Sequence, residues 1–151
     1  MAAIDFPINP AGQVGALADM QQKNTKTGLA TNVAAEPIGF GQPIQRVAGG
    51  DKLYELWDGE SAVAGISGFT NYIDPAVGYA EGQNMPIHDE GTVWVFASGD
   101  CTSGGAVEFD PVTGGFQDAY GGDALAPEVA VFDSNATAGG VVRLQINTRI
   151  S

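Results

Sequence analysis

The chain has one cysteine, one histidine and six basic residues among 151 positions, and no apolar run long enough to cross a membrane. Each shortage closes off a class of function. Cys101 cannot form an internal disulfide, so oxidative stapling has no part in the fold and a reducing cytoplasm is the expected place of synthesis. His88 has no second histidine to support a serine or cysteine nucleophile, and Gly65-Ile66-Ser67-Gly68 misses the nucleophile-elbow spacing by one residue. Six cations against 18 carboxylates give a net charge of −12, which argues against binding phosphate backbones or anionic membranes. The opening residues, Met1 to Asp5, carry neither a basic region nor an apolar one, so neither secretion nor anchoring is signalled.

The scarce cations are also unevenly placed. Leu53 to Val142 holds fourteen Asp and Glu residues and no Lys or Arg, so Lys23, Lys26, Arg46, Lys52, Arg143 and Arg149 must serve elsewhere or face a partner. An acidic chain stays soluble and separate until a complementary surface meets it, which suits a subunit that waits before docking. Plain solubility is the competing explanation.

Glycine, in contrast, is abundant at 22 residues, yet 44% of the chain is hydrophobic, so the glycines indicate tight turns rather than disorder. The length suits one domain with an arm. Residues 1–36 show Pro7, Pro10, Gly12, Gly15 and Gly28 without sustained periodicity and are expected to form an extended N-terminal arm, with one short helix possible over Gly15–Gln22. Residues 37–151 are expected to form the β-rich domain.

Strand signals begin at Pro43. Ile44–Val47 and Leu53–Trp57 flank the turn cluster Ala48-Gly49-Gly50-Asp51, a hairpin pattern, and Asp58-Gly59 follows as a dipeptide suited to positive φ. Interior glycines in Ala62–Phe69 predict a bulge or close backbone approach. Thr92–Phe96 is the most β-prone window and is expected to be a central strand covered on both faces. Asp110–Gly114 predicts a tight reversal between Val107 and Phe116. In the last run Val142, Leu144 and Ile146 alternate with Arg143, Gln145 and Asn147, as in a strand with one buried face. Seven or eight such strands and no βαβ rhythm predict a mainly β protein, a small antiparallel barrel or sandwich.

Chemical sites are weakly signalled. His88, Asp89 and Glu90 are adjacent and read best as a solvated turn before the Trp94 strand. The acidic neighbours of Cys101 should raise its pKa and leave it inert. Asp110, Asp118 and Asp123 match no calcium-loop spacing, and Asn135-Ala136-Thr137 reads as a chance glycosylation pattern. Trp94 is expected in the core; Trp57 is either core or an interface anchor. No catalytic residue, cofactor or metal is assigned.

Gly41-Gln42-Pro43-Ile44 precedes Leu53-Tyr54-Glu55-Leu56-Trp57-Asp58-Gly59, which leads into Ala64-Gly65-Ile66; Tyr79-Ala80-Glu81-Gly82-Gln83-Asn84-Met85-Pro86-Ile87, Gly91–Val95 and Gly104–Asp110 follow, and Ala138–Leu144 closes the series. This order of pieces resembles the capsid decoration, or structural cement, proteins of tailed bacteriophages. The likeness spans roughly residues 37 to 148 and is greatest to cement proteins of contractile-tailed phages of Pseudomonas and related hosts. It implies a non-enzymatic β domain on the outer surface of the capsid, bridging capsomers of the major capsid protein and self-associating as a homodimer or homotrimer. The expected contact residues are Ile4, Phe6, Lys23, Lys26, Arg46 and Trp57. A carbohydrate- or host-surface-binding module is the alternative, favoured if Trp57 is exposed beside a polar groove.

Overall fold

A computed structural model describes residues 13–18, 24–33, 37–71, 73–74, 76–118 and 123–148. Among them there are ten strands and no helix. The architecture is a closed five-stranded barrel that runs into a second, sandwich-like layer.

Five strands make the barrel: β1 (Asn24–Ala30), β2 (Pro43–Arg46), β3 (Leu53–Leu56), β4 (Gly65–Ser67) and the first part of β5 (Asn84–Phe96). Their order is β1-β3-β2-β4-β5, and β5 returns to pair with β1 from Asn84 to Glu90, which removes the open edges. All these pairs are antiparallel except β1 with β3, which is parallel. The expected turn joins β2 to β3: the Gly50 amide donates to the Val47 carbonyl and the Val47 amide to Leu53, at 3.0 Å each. Asp58-Gly59 does adopt positive φ at Gly59, 90°, but it directs the chain past β3 so that β4 pairs with β2.

β5 continues beyond the barrel. From Glu90 to Phe96 it pairs with β10 (Val141–Asn147), whose other edge takes β9 (Ala130–Phe132). A separate sheet of β6 (Val107–Asp110), β7 (Gly115–Asp118) and β8 (Asp123–Leu125), in the order β7-β6-β8, covers the inner face of β5, β10 and β9. The predicted reversal between β6 and β7 is present, closed by the Gly114 amide on the Asp110 carbonyl at 2.8 Å.

There are correspondingly two cores. Ile38, Phe40, Ile44, Tyr54, Tyr79, Met85 and Ile87 fill the barrel. Val93, Val95, Phe109, Phe116, Phe132, Leu144 and Ile146 fill the space between the sheets. The period-2 pattern of β10 is met, with Val142, Leu144 and Ile146 fully buried. β5 feeds both cores, one on either side of its bulge: Met85 and Ile87 enter the barrel, Val93 and Val95 the sandwich.

Several expectations change. Instead of a helix at 15–18, Leu17 bridges Val93, and the Gly15 and Ala18 amides donate to the Trp94 and Thr92 carbonyls at 2.7 Å. This strap satisfies the edge of β5 that β1 leaves unpaired. Part of the segment expected as an arm is barrel wall, because β1 closes the cylinder; the expected division at residues 36 and 37 is therefore not an edge of the barrel. His88, Asp89 and Glu90 are not a solvated turn but the middle of β5, with His88 and Asp89 buried. Of the two tryptophans, Trp57 takes the core alternative at 7% exposed, whereas Trp94, expected in the core, is only half-buried, so the outer face of Thr92–Phe96 is incompletely covered.

The close approaches predicted from glycine are present. A methyl group at Gly65 would lie 2.7 Å from Ile87 Cγ2 and 2.8 Å from the His88 carbonyl. At Gly28 it would lie 2.2 Å from the Tyr54 ring, which is buried and lies across β1. Gly28→Ala is thus expected to push Tyr54 aside and to destabilise the fold by about 1–3 kcal/mol. Urea unfolding of the variant and the parent measures this directly; unchanged midpoints would contradict the packing described.

Candidate contact surface and polar sites

The buried polar cluster at the middle of β5 is the first place to look for chemistry. Between Thr25↔His88 and Asn24↔Glu90 the register skips Asp89, a bulge that leaves this one residue unpaired with β1. Its carboxylate accepts from the Asn24 amide at 2.7 Å and lies 3.6 Å from Lys26 Nζ, while its carbonyl accepts the Thr148 amide at 2.8 Å. The His88 ring is fixed at both nitrogens. Gly15 offers only a carbonyl, 3.0 Å from Nε2, so Nε2 donates there, and the Thr25 hydroxyl lies 2.8 Å from Nδ1. A histidine held this way ties the strap and β1 to β5 and has no nitrogen left to move a proton for a substrate.

Three further acidic residues are also committed to the fold. Asp58 accepts amide protons from Glu60 and Ser61 at 2.8 Å and the Ser61 hydroxyl at 2.9 Å. Those bonds, led by the Ser61 and Glu60 amides, hold its pKa down to about 2 from an ordinary 3.8. Asp118 takes the amide and hydroxyl of Thr102, both at 2.8 Å, and Asp110 takes the Val112 amide at 2.9 Å. Asn135 accepts the Ser103 amide at 2.8 Å, which gives that side chain a loop-bracing role. Among the described residues no three His, Cys, Asp or Glu side chains are grouped to hold a metal ion. Three concavities of about 310 to 400 Å³ are lined by no titratable side chain.

The expected contact residues divide sharply. Ile4, Phe6 and Lys23 lie outside the described residues, as does Arg149. Lys26 is half-buried, bound to Asp89, with its ammonium 5.7 Å from the Tyr54 ring centroid. Arg46 is exposed; it donates to the Tyr54 hydroxyl at 2.9 Å and its guanidinium lies 5.4 Å from the same ring. Both cations therefore flank one tyrosine. Trp57 is a core residue rather than an exposed anchor, its indole N–H donating to the Ser61 carbonyl at 2.7 Å. Sequence reasoning missed the half-exposed aromatic pair Trp94 and Phe96; the signal for it is the alternation within Thr92–Phe96, which five consecutive β-prone residues conceal.

Cys101 is buried against the Gly99 and Phe116 carbonyls, and burial, then Asp118 and Asp100, push its thiol up to about 12.

Comparison with known proteins follows the geometry. A family model described as "Structural cement protein (E217 gp24/Pam3 gp6)" matches residues 6–147. The chain also superposes on a chain of the solved structure "The capsid of Myoviridae Phage XM1" with a TM-score of 0.68, at 16% identity, covering 99% of this chain and 100% of that one. A second solved structure, "The crystal structure of head fiber gp8.5 N base in bacteriophage phi29", aligns at a TM-score of 0.44 and 14% identity, over 86% of this chain and 99% of that one. No curated protein matches the sequence.

Two outcomes test these assignments. Because the folded pKa of Asp58 is depressed, its stabilising contribution is present above the ordinary carboxylate range and is lost as pH falls from about 4 through about 2. The Asp58 carboxyl should titrate near pH 2 by NMR, and Asp58→Asn should flatten the loss of stability across that window. Cys101 should react with a thiol reagent at pH 8 on the order of a thousandfold more slowly in the folded protein than in urea.

Proposed function

The chain belongs to the structural cement protein family, and from that premise we propose that it binds the outer surface of the major capsid protein lattice and bridges neighbouring capsomers. The family match over residues 6–147 carries this reading. The chemistry agrees with it: His88 is saturated, Cys101 is suppressed, and the carboxylates described above serve turns or a buried ion pair. A capsid-stabilising structural role needs none of these groups to react. The proposed place of action is the exterior of the virion, after synthesis in the host cytoplasm.

Weak contacts suffice for such a role. One modest interface repeated at many symmetric positions accumulates stabilisation, because each copy already bound raises the effective concentration of the next contact. We assign the shell and neighbour contacts to the segment before Gln13, including Ile4 and Phe6, with Lys23 and Arg46 facing acidic neighbours. Lys26 enters only through the part of its side chain that Asp89 and Tyr54 leave open, 29% by area. The carbohydrate alternative loses the exposed Trp57 that would have favoured it.

Expanded, undecorated heads incubated with the purified protein should bind it saturably at a fixed ratio to the major capsid protein on co-sedimentation. No binding by the folded protein would overturn the proposal. Removal of residues 2–12 should weaken that binding and leave thermal unfolding nearly unchanged, whereas removal through residue 35 takes β1 from the barrel and should unfold the domain.

A further inference from the structure

The ring of barrel strands is closed, but its contact between β1 and β3 is short. The registered pairs there are Leu29 with Leu53 and Ala30 with Tyr54. Main-chain groups of successive residues turn to opposite sides of a strand. Ala30 donates to the Gln83 carbonyl on the β5 side, whereas Leu29 donates to Lys52 and Thr31 to Tyr54 on the β3 side. Thr25 and Thr27 fall in step with Leu29, so each turns an N–H and a C=O away from β5. Among the described residues no strand pairs with them on that side, and both are exposed. β1 therefore carries a stretch of unpaired strand edge that runs on past the start of β3.

The side chains beside this edge are rich in donors. A methyl group at Gly28 would strike Tyr54 and Ile87, both barrel-core residues, so Gly28 faces inward and Lys26 shares its face. Lys26 is already matched by Asp89, 3.6 Å from its Nζ. Arg46 of β2 is different. It is exposed, it donates through Nη1 to the Tyr54 hydroxyl at 2.9 Å, and it pairs with no carboxylate among the described residues of a chain that has 18. The Tyr54 hydroxyl, itself buried, accepts that bond and has no acceptor for its own proton among the described residues. Free main-chain groups along an edge call for an extended segment, and an unmatched guanidinium fork calls for a carboxylate.

Resting on the cement role proposed above, we infer that the free edge of β1 at Thr25 and Thr27 takes an extended segment of the major capsid protein by strand addition, and that an Asp or Glu of this segment pairs with Arg46. The pleat sets the register. Residues opposite one another on neighbouring strands, about 4.8 Å apart, share a face. The acidic residue therefore stands opposite Lys26, turned towards the barrel mouth where Lys26 and Arg46 flank Tyr54. Its two neighbours stand opposite Thr25 and Thr27 and face solvent. Main-chain bonds supply attachment with little demand on sequence, and the single carboxylate fixes which residue lies where. Asp89 neutralises Lys26, so Arg46 makes the selection. Such a contact is small, and it holds through repetition over the lattice.

Hydrogen exchange, read residue by residue by mass spectrometry with and without expanded, undecorated heads, tests this. In the free protein the Thr25 and Thr27 amides should exchange faster than those of Lys26 and Gly28, which face β5; on heads they should slow about tenfold or more. Thr27→Pro removes one edge donor and leaves the β5 ladder intact, and Arg46→Glu reverses the selecting charge. Each should raise the concentration needed to half-saturate heads about tenfold, with Arg46→Lys losing less. Thermal unfolding of each variant checks the fold, and if Thr27→Pro does not fold, Arg46→Glu and the exchange pattern decide the matter. A photoreactive p-benzoylphenylalanine in place of Thr27 should cross-link to an acid-containing segment of the major capsid protein. Saturable binding of heads with Thr25 and Thr27 still exchanging fast, normal binding by Arg46→Glu, or a cross-link to a second copy of this chain would each overturn the inference and leave the cement role standing. Failure of the wild type to bind heads removes the cement role, and this inference with it.

Discussion

The structure depends on one constraint: β5 must satisfy hydrogen bonds on two edges along thirteen residues while supplying side chains to two cores. No single neighbour spans it. β1 takes one edge up to Glu90 and the strap at 15–18 continues along Thr92 to Trp94; β4 and then β10 take the other. The exchange of partners falls where the strand bulges, and the residue there that β1 leaves unpaired, Asp89, has its carbonyl bound by the Thr148 amide and its carboxylate by the Asn24 and Lys26 side chains. A buried carboxylate without those donors would cost several kcal/mol, so the polar cluster permits one strand to change neighbours without an open ladder.

This explains which features were legible in the sequence. β10 alternates cleanly because one of its faces is buried along its whole length, and the turns at 47–52 and 110–114 are local, written in glycine and proline. The middle of β5 was not legible because His88, Asp89 and Glu90 are turn-forming by composition, and the groups that bind His88 and Asp89 lie 59 to 73 residues away. The strap at 15–18 was not legible for the same reason: Ala16, Leu17 and Ala18 favour helix locally, while the hydrogen bonds that decide the matter come from Thr92 and Trp94. The partial exposure of Trp94 was not legible because neighbouring sequence does not state which face of a strand a second sheet covers.

Of the candidate contact residues, Arg46 was legible as an exposed cation, but its stacking on Tyr54 was not, and the same ring also lies against Lys26 and Gly28. The scarcity of basic residues thus acquires a local meaning. Lys26 and Arg46 brace the barrel, Arg143 steadies the outer sheet, and the described surface remains acidic.

The passage of β5 through both layers has a mechanical consequence. A force applied to the barrel at one end and to the sandwich at the other is carried along a covalent backbone rather than across a seam between separately folded parts. The ladders on either side of that backbone are then loaded lengthwise, so several hydrogen bonds must fail together, whereas a seam pulled apart at right angles would open one bond at a time. A fastener under sustained outward pressure from a packed interior resists better with the first geometry.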